Sequence, residues 1–192
     1  MVLGKSLNTH YTPQERARLH AIAEASIRHG FESGRPLRAD LSTEPDKLRE
    51  HRASFVTLQE RGLLRGCIGA LEAYQPLAQD VADHAFAAAF QDPRFPPLRP
   101  EELDALDIKI SVLSPPEPLP AADTDSLLRA LRPGVDGLIL QDGQYKATFL
   151  PSVWEQLPDA RDFIAALKRK AGLPPDYESP TMRAWRYTTE EF

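Results

Sequence analysis

The residue types best suited to chemistry in this chain are gathered in one short segment, residues 64–69, which reads LRGCIG. Because successive side chains of a strand point to opposite faces, Arg65 and Cys67 are predicted to share a face, about 7 Å apart. Leu64 and Ile68 are predicted to fill the opposite, core-facing side. A neighbouring cation favours the thiolate, which is the nucleophilic form of cysteine. The spacing therefore predicts Cys67 and Arg65 as catalytic residues.

Two glycines flank this thiol. Gly66 and Gly69 carry no side chain, and a glycine within a strand often marks a bulge or the close approach of a ligand or of another backbone. They are therefore predicted to leave room for a substrate. Two alternatives stay open: a lone cysteine is usually a small, inert, buried residue, and the glycines could serve a tight crossing of two chain segments.

A second candidate lies at residues 92–95, Asp92-Pro93-Arg94-Phe95, directly after a predicted helix. Proline can fix the direction of the following arginine, as a clamp for a carboxylate or another anion requires. Asp92 and Arg94 are therefore predicted to bind substrate. The alternative is a turn that ends the helix, in which Asp92 pairs with Arg94 and Phe95 enters the core.

Hydrophobic periodicity and turn residues predict the elements that position these groups. The first half of the chain is predicted to contain a helix that is capped by Thr12 and stopped by Gly30, an irregular segment 31–52, a hairpin 54–69, a helix 77–90 and a strand 107–113. The second half is predicted to contain a short helix 125–131, a hairpin with a type I′ turn at Asp142-Gly143, a helix from Asp159 to Gly172 and a final edge strand 184–188. Strands that come as hairpins indicate an α+β fold, a mostly antiparallel sheet flanked by helices.

Composition limits the classes of function. A length of 192 residues predicts a single domain, or two small lobes that share a core. A formal net charge of −5 argues against a binder of duplex nucleic acid. The basic run Lys168-Arg169-Lys170 closes a predicted helix, where cations complement the helix dipole. No stretch approaches the ~20 apolar residues of a membrane span, and Met1 to Pro13 lacks the features of a signal peptide, so the cytoplasm is expected.

Neither a metal nor a cofactor is predicted. One cysteine excludes an intrachain disulfide and a zinc site built from several thiols. The five histidines show no spacing typical of metal ligands. His51 and His84 are the two candidates for a general base beside Cys67, and both are weak.

Seven segments, taken in order, resemble the AMMECR domain family, whose prokaryotic members are also called AmmeMemoRadiSam system protein A. They are FVTL (55–58), LRGCIG (64–69), DPRF (92–95), ISVLS (110–114), GLI (137–139), FLP (149–151) and KAGL (170–173). The resemblance covers about Pro13 to Tyr187, and the glycine-cysteine motif is highly specific to the family. His84 lies outside the family pattern.

The resemblance implies one AMMECR-type domain over residues 1–192, with a larger and a smaller subdomain and a cleft near the arginine-glycine-cysteine segment. It implies a Memo-like protein and a radical S-adenosylmethionine protein as partners, but no settled reaction. The first hypothesis is an accessory or binding component of that system. The alternative is an enzyme with Cys67 as nucleophile or acid/base and with Arg65 and Arg94 on anionic oxygens. A third possibility is that the motif only shapes the sheet.

Overall fold

The computed structural model of the chain describes residues 10–121 and 123–192. The prediction of no signal peptide rests on residues 1–13, of which 1–9 lie outside the described residues. In chain order the helices and strands are α1 (Pro13–Ser33), α2 (Asp46–Arg49), β1 (Ser54–Glu60), β2 (Leu63–Gly69), α3 (Leu77–Phe90), β3 (Leu106–Leu113), β4 (Glu117–Leu119), α4 (Thr124–Ala130), β5 (Gly137–Asp142), β6 (Tyr145–Phe149), α5 (Ala160–Lys170), β7 (Arg183–Tyr187) and β8 (Thr189–Glu191). Short 3₁₀ turns span Pro100–Ala105 and Pro151–Glu155.

Two four-stranded sheets with helices confirm the α+β prediction. The described residues divide into two compact units: one holds those up to Leu113 together with Glu190–Phe192, and the other holds those from Ser114 to Thr189. The cleft between subdomains stays a prediction of the resemblance. No helix in the described ranges is both long enough and apolar enough to cross a membrane.

The first unit has the strand order β2-β1-β3-β8, and α3 packs against both α1 and β1. Alternation along β1 points Val56 and Leu58 into the core, where both are fully buried. Burial of each such side chain stabilises the fold by roughly 1.5–3 kcal/mol. The neighbours Phe55 and Thr57 face the other side of the sheet and are only half-buried.

Helix α1 starts as predicted and ends later than predicted. Thr12 accepts a hydrogen bond from the Glu15 backbone, and the Glu15 side chain accepts one from the Thr12 N–H, which completes a capping box. The helix passes through Gly30 and ends at Gly34, whose φ of 68° is left-handed. A Cβ on Gly30 would collide with the rings of Phe86 and Phe90, so this glycine is kept for packing against α3.

The second unit has the strand order β4-β7-β5-β6 and its own core, built around Phe163 and Trp154, which stack with ring centroids 3.8 Å apart. The prediction of an edge strand at 184–188 is wrong. Strand β7 lies between β4 and β5, because the short strand β4, within the proline-rich segment 115–120, pairs with the edge of β7 that was predicted to be free. Pro118 lacks an N–H, and proline is tolerated at such a sheet edge.

The hairpin of β5 and β6 also differs in its turn. Asp142 pairs with Tyr145, so Gly143 and Gln144 are the central residues. Only Gly143 has a positive φ, whereas a type I′ turn needs two such residues. The two-residue turn of this type lies in the other hairpin, where Arg61 and Gly62 have φ values of 51° and 77°.

Lys168 does not lie at the solvent-exposed end of α5 with the other two cations of the basic run. Its side chain is fully buried, and Nζ donates hydrogen bonds to Thr124 Oγ1 (2.8 Å) and to the Tyr177 carbonyl (2.7 Å). Burial lowers the pKa of this amine. Arg169 and Lys170 are exposed in the last turn of α5, as predicted from the helix dipole.

Candidate functional site

Cys67 lies on strand β2, at the edge of the first sheet. The antiparallel register pairs Thr57 with Cys67 and Leu58 with Gly66, and then shifts so that Gln59 pairs with Leu64. Arg65 is the residue without a partner, which defines a β-bulge. Since Thr57 faces away from the helices, the Cys67 side chain lies on the face of the sheet opposite α3.

The bulge changes which neighbour shares this face. Because Leu64 pairs with Gln59 rather than with Leu58, it lies on the side of Cys67 and is 42% exposed. Its predicted place in the core is therefore wrong. Ile68 pairs with Val56 and packs against the core, as predicted. The Cys67 thiol is half-buried, and its Sγ accepts a hydrogen bond from Thr57 Oγ1 at 3.2 Å.

Arg65 is committed to a different set of groups. Its Nε donates to Glu102 Oε1 at 2.8 Å, and Nη1 donates to the Pro96 carbonyl at 3.0 Å. The Arg65 side chain is 12% exposed and that of Glu102 is 13% exposed. The guanidinium lowers the pKa of the Glu102 carboxyl, against the opposite effect of burial. Arg65 thus fastens β2 to the segment after α3, and the predicted pairing of its guanidinium with the thiol is not formed.

Asp92 and Arg94 hold the peptide groups of Cys67. The Cys67 N–H donates to Asp92 Oδ2 at 2.9 Å, and Arg94 Nη2 donates to the Cys67 carbonyl at 3.2 Å. Arg94 Nη2 also binds Asp92 Oδ2 at 2.7 Å. The Asp92–Arg94 pair of the alternative interpretation therefore forms, and the binding of a substrate by these two residues stays a prediction. Phe95 is only half-buried, and its N–H donates to the Asp92 carbonyl, which closes the turn.

The two members of this pair differ in burial. The Asp92 side chain is 2% exposed, whereas that of Arg94 is 54% exposed. The Arg94 guanidinium holds the pKa of the Asp92 carboxyl far below its usual range, and the Cys67 N–H adds to this effect. In return, the carboxylate raises the pKa of Arg94. Asp92 is therefore a buried, ionised anchor, and Arg94 is the member of the pair that meets solvent.

The space beside both glycines is filled by the protein itself. A Cβ on Gly66 would collide with the carbonyl oxygen of Ala88 in α3, and one on Gly69 would collide with the ring of Phe55. The predicted room for a substrate is thus taken up by packing, and the alternative of a tight crossing of two chain segments is what forms. Gly66 allows α3 to approach the backbone of β2.

Neither candidate base, His51 or His84, forms a hydrogen bond with the thiol in the described part of the chain. His84 lies on the core side of the sheet, where its Nδ1 is 3.1 Å from Asp80 Oδ2 and 3.4 Å from Ser54 Oγ. Ser54 donates to the same carboxylate oxygen at 2.6 Å. The sheet therefore separates His84 from Cys67. His51 lies outside β1 and forms an isolated bridge with Pro76.

This buried Ser54–Asp80–His84 cluster was missed by sequence reasoning. The i,i+4 spacing of Asp80 and His84 on α3 is the signal that predicts their contact, but nothing in the spacing points to Ser54. Among residues 10–121 and 123–192, no three or more His, Cys, Asp or Glu side chains are grouped so as to hold a metal ion.

Together these contacts fix the backbone of β2 around Cys67. The carboxylate and the two guanidiniums predicted to meet a substrate bind the chain itself, which holds the bulged strand in place. Beside these contacts, solvent reaches the half-buried Cys67 thiol and the Leu64 side chain on β2 and the Arg94 guanidinium in the turn after α3. Such a surface can contact a partner without rearrangement.

The chain is similar to a set of archaeal proteins over most of its length. It is 46% identical over 153 residues to a protein of Methanothermobacter thermautotrophicus, covering 77% of this chain and 78% of that one. It is 39% identical over 180 residues to a protein of Thermococcus gammatolerans, covering 89% and 86%. The crystal structure of an uncharacterized Pyrococcus horikoshii protein superposes with a TM-score of 0.81 at 33% identity, covering 94% of this chain and 91% of that one. The sequence profile of the AMMECR1 family matches residues 20–192, and the chain belongs to that family.

Proposed function

We propose that this protein is a binding component of an AmmeMemoRadiSam-type system in the cytoplasm. It would present the outward side of β2, around Cys67, to a Memo-like protein or to a radical S-adenosylmethionine protein. The partner with the radical cofactor would then carry out the chemically difficult step. The role of this chain is to bind and to orient.

The observation that carries this proposal is the way the charged residues of the motif are used. Arg65 is bound to Glu102, and Asp92 and Arg94 are bound to the peptide groups of Cys67. An arrangement that activates a thiol would place charge and a base at the sulfur atom. Here no acidic or histidine side chain of the described residues hydrogen-bonds to the sulfur, and the charges fix a backbone, which favours a preformed binding surface.

The test is association with the two partner proteins from the same source. Cys67→Ser keeps the surface and is expected to leave the dissociation constant within about twofold. Cys67→Glu adds a carboxylate to that surface and is expected to weaken binding by at least about tenfold, which corresponds to ~1.4 kcal/mol. Arg161→Ala, an exposed charge change in the second unit, is the control.

Turnover by the reconstituted system separates binding from catalysis. Cys67→Ser is expected to keep turnover near that of the unchanged protein. If this substitution abolishes turnover while association persists, the protein is not a binding component alone.

The second candidate is a cysteine-dependent enzyme that acts on a small anionic group. It is favoured by the half-buried thiol and by the hydroxyl of Thr57, which donates to Sγ and fixes its position. On this hypothesis iodoacetate, an anionic alkylating agent, labels Cys67 readily near neutral pH, and Arg94→Ala slows the labelling. Labelling that requires denaturant would remove the support for this candidate.

A further inference from the structure

A pocket of about 540 Å³ lies in the first unit, away from the β2 surface. It is formed by the end of α1, the loop that follows and the start of α3. Its lining is formed by His29, Arg35, Pro36, Arg38, Gln75, Gln79 and Asp83. Its volume falls within the range of sites for small molecules, roughly 300–1,000 Å³.

Two arginines on the loop after α1, Arg35 and Arg38, line the pocket. The guanidiniums of Arg35 and Arg38 form no ion pair or hydrogen bond with another side chain in the described part of the chain, although most arginines of this unit do. Two forked donors on neighbouring loop positions are suited to a carboxylate or a phosphate. His29 adds a ring nitrogen from α1.

The lining also carries a carboxylate that is held in place. Gln79 Nε2 donates to Asp83 Oδ1 at 2.7 Å, and Gln75 Nε2 donates to Asp83 Oδ2 at 3.0 Å. Gln79 also donates to the Leu37 carbonyl and accepts from the Ala39 N–H. These bonds tie the loop to α3, so the pocket is preorganised. No cation pairs with Asp83 among residues 10–121 and 123–192.

We propose that this pocket binds a small zwitterion, a molecule that joins a carboxylate or phosphate to an amine. Arg35 and Arg38 hold the anionic group, and Asp83 receives the amine. The polar lining disfavours an apolar ligand, and charges of both signs disfavour a ligand of one sign only. This site shares no residue with the Cys67 surface, so the two proposals stand or fall separately.

The test compares L-glutamate with glutarate, which has the same two carboxylates and no amine. Backbone amide and arginine Nε–Hε resonances of the isotope-labelled protein are followed during titration. L-Glutamate is expected to shift residues of the 35–38 loop saturably in the millimolar range, at least about fivefold more tightly than glutarate. Arg35→Ala and Arg38→Ala are each expected to weaken glutamate binding at least about fivefold, whereas Arg28→Ala, on the exposed side of α1 and paired with Glu24, is not.

Asp83→Asn keeps the size of the side chain and removes its charge, so it is expected to bring glutamate to the affinity of glutarate. A near-ultraviolet circular dichroism spectrum checks that each variant is folded. The proposal is overturned if neither probe gives a saturable shift up to roughly 10 mM, or if Arg28→Ala weakens binding as much as Arg35→Ala. Equal affinities for glutamate and glutarate would overturn the assignment of Asp83.

Discussion

Cys67 is held by its backbone rather than by its side chain. Its N–H is bound by Asp92 and its carbonyl by Arg94, while the thiol has the single hydroxyl of Thr57 as its hydrogen-bond partner among the described residues. Fixing a peptide group on both sides removes freedom from the main chain and leaves the side chain accessible. The residues around the thiol therefore determine its position and its exposure.

Gly66 is expected to be the most sensitive position of the motif. Gly66→Ala places a methyl group against the Ala88 carbonyl, so α3 or β2 must shift, at a cost of about 3 kcal/mol. Gly62→Ala in the same hairpin meets open space and strains only a left-handed backbone, at a cost of about 1 kcal/mol. Urea unfolding followed by far-ultraviolet circular dichroism measures both. Equal losses for the two variants would show that the close approach of α3 is not what Gly66 provides.

At the scale of elements, the exposed edge of β2 is protected by a turn. An unpaired edge strand offers free N–H and C=O groups to other chains. Here the turn at 92–95 occupies both groups of Cys67, as a neighbouring strand would, while using side chains in place of a backbone. The proline-containing turn after α3 thus covers the edge that carries the family motif.

We expect Asp92 to make the free energy of unfolding depend on pH in the acidic range. Its pKa is lower in the folded protein than in the unfolded chain. The stabilisation that its carboxylate contributes is therefore complete at pH values well above the ordinary pKa of about 3.9, and it is lost as the pH falls through that value and below it. Asp92→Asn is expected to cost about 2 kcal/mol at pH 7 and to flatten the decline in stability between about pH 5 and pH 2. Asp104→Asn, whose side chain is 93% exposed, is the control. The free energy of unfolding is measured by urea titration at each pH, and an unflattened decline would contradict this role.

Lys168 in α5 is expected to resist modification of its amine. Its lowered pKa makes the neutral, nucleophilic form more available, but full burial denies access to the reagent. Access requires local opening, and an opening cost above ~1.4 kcal/mol slows the reaction at least about tenfold. Acetic anhydride under native conditions is therefore expected to modify the exposed Lys170 first, as read by mass spectrometry. Equal rates for the two lysines would contradict the burial of Lys168.

At the scale of the whole molecule, the chain forms two units with separate cores, and the first unit is completed by the last residues. Phe192 exchanges two backbone hydrogen bonds with Ile110 in β3 and packs near Tyr11. Glu190 accepts from the Tyr11 N–H and pairs with Arg16 at 2.8 Å. Residues 190–192 thus follow the second unit along the chain but stabilise the first.

Deletion of residues 190–192 is expected to destabilise the first unit selectively, by about 2–4 kcal/mol. The reason is that the backbone hydrogen bonds to Ile110, the ion pair with Arg16 and the packing of Phe192 are lost together. Each unit carries its own probe: the backbone amides of β1 and β3 report hydrogen exchange in the first, and Trp154 and Trp185 report fluorescence in the second. Protection of the β1 and β3 amides against exchange is expected to be lost at a lower urea concentration, with a smaller shift of the tryptophan fluorescence transition. A shift confined to the fluorescence would contradict this assignment.

The sequence by itself determined the elements with strong local signals. The capping box at Thr12 and Glu15, the 54–69 hairpin and the period of two in β3 all predicted the observed elements. Such signals are local because caps, turns and side-chain alternation depend on residues a few positions apart. The series of family motifs likewise identified the family and drew attention to Cys67.

Only the tertiary structure decided what the motif does with its charges. The partner of Arg65 is Glu102, 37 positions away, and the partner of the Cys67 N–H is Asp92, 25 positions away. Strict alternation placed Arg65 beside the thiol, but a bulge in the register put Leu64 on that face instead. A bulge and a long-range ion pair are set by how strands and helices pack, which the spacing of residues within one strand does not encode.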